Sequence, residues 1–159
     1  MASLKKISIL FVCLVLSACA FAATKKDVFS IVAEADQAYD ENRWLEASRL
    51  YKQITQRVPK DHYAWFRLGN TELRQGRLTS AIYNYQQALE RAPNNAKAHY
   101  NLALAYLLQA QQQMQRANAS LRDDDPGKTV VADRLQALQK LIDQPIEYSL
   151  TPGGQSIAQ

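Results

Sequence analysis

Residues 62–95 read HYAWFRLGNTELRQGRLTSAIYNYQQALERAPNN. Apolar residues recur three and four apart, the run breaks at Gln75-Gly76, and Pro93 closes it. That is the pattern of two helices joined by a tight turn. The preceding stretch, 28–61, reads VFSIVAEADQAYDENRWLEASRLYKQITQRVPKD and turns at Asn42-Arg43. Pro59 closes it in step with Pro93, Ala47 aligns with Ala81, Tyr51 with Tyr85, and Ala35 with Gly69. A period of 34 residues predicts stacked helical hairpins, each burying its apolar face against the next.

From Asp27 onward no window alternates with the period of a strand, so the fold class is all-α. Helices are expected at about 27–41, 44–57, 62–75 and 79–91. Pro59 pushes the residue before it out of helical geometry. Asp61 is a candidate N-cap, and Gly76 suits the left-handed position that ends a helix. A third unit starts in register at 96 with His99, Leu102, Ala103 and Tyr106, then abandons the pattern. Its apolar stripe continues through Leu108, Met114 and Leu121, predicting one long helix to about 122. Asp125-Pro126-Gly127 interrupts it. A last helix at 129–143 carries Val131, Leu135, Leu138, Leu141 and Ile142 on one face, and is expected to cap the open end of the stack. Residues 145–159, with Thr151-Pro152-Gly153-Gly154, read as a flexible tail.

The second unit resembles the tetratricopeptide repeat (TPR), a helix–turn–helix unit that builds short solenoids. Trp65, Leu68, Gly69, Ala81, Tyr85, Ala88 and Pro93 stand where the family pattern wants them. The first unit matches at Ala35, Ala47, Tyr51 and Pro59, but Glu34 stands where leucine is usual, as suits an end repeat. The resemblance covers roughly residues 28–108.

It implies that the first helix of each unit lines a concave, protein-binding groove. Projected onto this chain, the groove residues are Tyr39, Tyr63, Phe66, Arg67, Asn70, Arg74, Lys97, Tyr100 and Asn101, flanked by Phe29, Val32, Asp36, Leu104 and Leu108. In chaperone-binding relatives two asparagines at the spacing of Asn70 and Asn101 hydrogen-bond a bound peptide. Phe66 stands where one lysine of that clamp would be, so a clamp on an acidic C-terminus is not expected.

The N-terminal segment is of another kind. Lys5 and Lys6 precede the apolar run ISILFVCLVL (7–16), followed by the small-residue stretch SACAFAA. Basic start, short apolar run and small residues describe a secretory signal over 1–22. Leu16-Ser17-Ala18-Cys19 looks like a bacterial lipobox, which would make Cys19 the lipidated N-terminus. The alternative cut after Ala20-Phe21-Ala22 releases a soluble protein. The expected location is periplasm-facing, either as an outer-membrane lipoprotein or in soluble form.

Composition removes other functions. Net charge is +4, of which Lys5 and Lys6 supply two, too little for a nucleic-acid partner. Both cysteines, Cys13 and Cys19, lie in the signal, leaving the rest of the chain no thiol for a disulfide, metal or nucleophile. His99 falls in the aromatic slot matching Trp65 and reads as a packing residue. His62 opens a helix. No cofactor, metal, small-molecule substrate or catalytic constellation is expected. The expected function is a non-enzymatic protein–protein interaction scaffold of the cell envelope. The alternative is a structural envelope protein self-associating through Leu135, Leu138, Leu141 and Ile142.

Overall fold

The computed structural model describes residues 27–143; the expected signal with Cys19 and the tail expected at 145–159 fall outside the described residues. Six helices follow one another: α1 (Val28–Asp40), α2 (Trp44–Arg57), α3 (His62–Arg74), α4 (Leu78–Arg91), α5 (Ala96–Ser120) and α6 (Pro126–Ile142). No strand occurs among the described residues. Each helix packs on the next, and α3 also touches α5. The result is a short all-α solenoid of helical hairpins.

The 34-residue period is visible at the level of single hydrogen bonds. Asn42 (φ 58°) and Gly76 (φ 70°) take the left-handed turn between the helices of units one and two. Asp61 caps α3 by accepting from the Tyr63 and Ala64 amides, and Asn95 caps α5 by accepting from Ala98. These caps satisfy amides the first helical turn cannot. Trp65 Nε1 donates to the Pro59 carbonyl at 2.9 Å, and His99 Nε2 lies 2.8 Å from the Pro93 carbonyl. A carbonyl only accepts, so Nε2 carries the proton and His99 serves as the tryptophan's counterpart at the turn.

Two apolar clusters hold the stack. Ile31, Ala35, Leu50, Tyr51, Ile54 and Leu68 join α1, α2 and α3. Leu73, Leu78, Ala81, Ile82, Tyr85 and Ala105 join α3, α4 and α5. Small residues set the helix spacing. A Cβ on Gly69 would lie 2.6 Å from Tyr85 Cε1, so the tyrosine ring lies directly on the glycine.

The third unit departs from the period as one continuous helix, α5. The last helix starts at Pro126, three residues before the expected 129. Asp125 accepts the Gly127 amide at 2.7 Å, and proline at the first helical position has no amide to satisfy. No residue of α6 is buried; it lies along α5, touching it through contacts such as Gln111 with Gln139.

Candidate partner-binding groove

Helices α1, α3 and α5 are brought side by side by polar contacts between units. In the first interface Arg67 of α3 reaches back to α1. Its Nη2 lies 3.0 Å from the Asp36 carboxylate, and its Nε donates to the Tyr51 hydroxyl at 2.9 Å. Tyr51 in turn donates to Asp36, as does Tyr63 at 3.3 Å. The guanidinium lies 3.7 Å above the Tyr39 ring, a partly desolvated cation–π contact. In the second interface Asn101 of α5 takes the place Arg67 has one period earlier. Its Nδ2 donates to Asn70 Oδ1 at 2.8 Å, and the Tyr85 hydroxyl donates to the same oxygen at 2.9 Å. Asp36 and Asn70 thus occupy one register position, each anchored by a tyrosine fifteen residues later.

Burial sets the titration of this bed. It pushes Tyr51 up, helped by the bond to Asp36, and it pushes Tyr85 up likewise. Burial and the Asp36 charge raise Tyr63 to about 12, against the pull of Arg67. Burial pulls Arg67 down, but the oxygens of Tyr51, Tyr63 and Asp36 more than offset it and leave its pKa raised. Arg67 is therefore a fixed cation.

The projected groove residues separate into two layers. Tyr39, Arg67, Asn70 and Asn101 are 3 %, 8 %, 4 % and 0 % exposed. The expectation that these four present themselves to a partner needs correction. The resemblance places these residues on the first helix of each unit but does not set their depth, and stacking of the units closes over these positions. The Asn70 carbonyl already accepts two hydrogen bonds, the full capacity of an amide oxygen. Tyr63 remains 43 % exposed, Phe66 and Tyr100 are half-buried, and Arg74 and Lys97 are exposed. Arg74 also lies 5.4 Å over the Trp44 ring. Phe66 leans on Tyr85 with centroids 6.1 Å apart, so a half-buried ring rests on a locked one. Leu104, Leu107 and Leu108 continue the surface along α5 as half-buried side chains.

The sequence marks Tyr51 and Tyr85 as matching positions of the repeat and gives no role to their hydroxyls. The signal was present: a hydrogen-bonding residue stands fifteen positions before each tyrosine, Asp36 and Asn70, at the same point of the period.

A family model described as TPR repeat matches residues 69–109, spanning the second half of α3, all of α4 and the first half of α5. None of the curated proteins compared with the chain matches it. The family match supports a TPR protein, and the six helices form a TPR-like helical solenoid. Proteins built of this repeat are generally non-enzymatic scaffolds that bind protein partners.

Proposed function

We propose that the chain is a non-enzymatic adaptor of the bacterial cell envelope, holding a helix or extended segment of another protein against Tyr63, Phe66 and Tyr100. The observation that carries this reading is the layering of the side chains, half-buried and exposed rings over a buried hydrogen-bonded bed. Beneath the reachable rings, Arg67–Asp36–Tyr51 and Asn101–Asn70–Tyr85 tie adjacent helices together. A surface fixed in advance loses little freedom on binding, and aromatic anchors over such a bed concentrate binding energy. Arg74 and Lys97 at the rim favour a partner segment carrying acidic residues. Export through residues 1–22, with lipidation of Cys19 or release after Ala22, belongs to the same proposal. Intact mass of protein from the native membrane fraction distinguishes an acylated Cys19 from a chain starting at Ala23.

The groove is tested by comparing partner recovery by the unaltered protein, Phe66→Ala and Tyr100→Ala. Circular dichroism must first show the same helix content in all three. Recovery is expected to fall at least tenfold for each variant. Unchanged recovery places the partner elsewhere on the molecule.

A second reading keeps self-association through α6. It is favoured by one observation: α6 has no buried residue, and Leu141 on its apolar stripe is 54 % exposed.

A further inference from the structure

The opposite face of α3 carries a second opening. Trp65, Leu68 and Glu72 lie about half a helical turn from Tyr63, Phe66 and Asn70, and so face away from the groove. They floor a cleft of 520 Å³ whose walls are α2 and α4. This volume lies in the range of about 300–1,000 Å³ typical of ligand clefts.

One wall residue has no account in packing. Asn84 is 5 % exposed, yet its amide makes no hydrogen bond among the described residues. One period earlier the same position holds Leu50, an ordinary core residue at 3 % exposure. The Asn84 amide atoms are not sealed from water, so the group opens into the cleft instead of standing unpaired in the core. Across the cleft, Lys52 is exposed and makes no ion pair among the described residues. The one carboxylate in the lining, Glu72, is already engaged by Ser48 at 2.6 Å and by Arg77. Lys52 also acts on Glu72 and helps hold its carboxyl below the ordinary range, so two cations, Lys52 and Arg77, share one carboxylate and leave a net positive charge at the cleft. Trp65 and Tyr83 meet edge to face with centroids 6.1 Å apart and give the cleft an aromatic end.

The opening is also not a general consequence of the repeat. One period on, the positions of Lys52 and Glu72 are Gln86 and Tyr106, which hydrogen-bond each other at 3.0 Å across α4 and α5.

We infer that this cleft is a second binding site, taking a short extended peptide segment that bears an acidic side chain. The Asn84 amide offers one donor side and one acceptor side, the complement of a peptide unit. Lys52 meets the carboxylate, and the Trp65–Tyr83 pair receives a neighbouring side chain. The site is independent of the groove reading. If both are occupied, the protein joins two segments on opposite faces of one helix.

The test uses indole N–H signals, of which the chain has two, Trp44 and Trp65. The full chain, uniformly labelled with nitrogen-15, is titrated with a pool of acetylated, amidated pentapeptides having glutamate at the centre. A matched pool has glutamine there. The glutamate pool is expected to move the Trp65 indole and the Asn84 side-chain amide, leaving Trp44 in place. Lys52→Gln should weaken the response at least tenfold. Asn84→Leu should abolish it with helix content unchanged by circular dichroism, which separates loss of the site from loss of the fold. Four outcomes overturn the proposal: no Trp65 response, equal response to both pools, equal response in Lys52→Gln, or a stronger response to an N-acetylglucosamine trimer. The last would make the cleft a carbohydrate site. Lys52 lies on the surface, so its variant decides the question even if Asn84→Leu misfolds.

Discussion

At the residue scale, Gly69 and Tyr85 make the sharpest demand on the sequence. The missing Cβ of Gly69 is the space into which the Tyr85 ring fits, with ring carbons 2.6 and 2.7 Å from where that atom would stand. Tyr85 has no freedom to retreat: it is fully buried and its hydroxyl is bound to Asn70. Gly69→Ala gains about 1 kcal/mol of helix propensity. Overpacking costs about 1–3 kcal/mol and rises where the neighbour cannot move. The net expectation is destabilisation of about 1–2 kcal/mol, lowering the melting temperature by several degrees. Equal or higher stability would mean that the ring has another place to go. In unit one Ala35 fills the same position before Tyr51, so the two interfaces have different tolerances.

At the element scale, the helices divide by how they are held. α1 to α4 each contribute buried residues to the two clusters, whereas α6 contributes none. Elements with few buried contacts open locally at low free energy. Amide exchange in α6 is therefore expected to be faster than in α1–α4, and Asp125→Ala to accelerate it further by removing the bond to the Gly127 amide. Loss of a cap costs about 1 kcal/mol, so about a fivefold increase is expected, confined to α6. Slow exchange in α6 that quickens on dilution would instead favour self-association through this helix. The same division explains what the sequence made legible. The 34-residue period located α1 to α4 to within about two residues because turn, cap and proline recur together in each unit. It was silent on α6, whose start is decided by one local contact, Asp125 with the Gly127 amide. The groove residues were projected from the family resemblance. Their two layers were not legible, because the depth of Arg67, Asn70 and Asn101 depends on the neighbouring unit, which no single-helix pattern contains.

At the scale of the whole molecule, the buried network bounds stability in pH from both sides. Glu72 is pulled up by burial but pulled down more by its bonds to Arg77 and Ser48, and ends below its ordinary 4.5. Below pH 4.5 the unfolded chain takes up that proton before the folded one does, so stability falls as pH drops. The alkaline limit has the opposite cause. Tyr51, Tyr63 and Tyr85 are all raised above the ordinary 10.0, Tyr63 to about 12. Their contribution is complete below pH 10, and it declines as pH rises through 10 to 12, because the folded state holds protons the unfolded state has lost. Urea midpoints are expected to be level near neutrality and to drop on either side. A parallel absorbance titration at alkaline pH reports the phenolates directly. Tyr51 and Tyr85, two of eight tyrosines, should ionise only as helicity is lost. Ionisation of all eight near pH 10 with the helices intact would contradict the burial that this account rests on. Tyr85→Phe separates the two roles of the ring. It removes one ionisable group and so flattens the alkaline decline. At neutral pH it costs about 1 kcal/mol, since the Asn70 carbonyl keeps Asn101 as donor but loses the phenol.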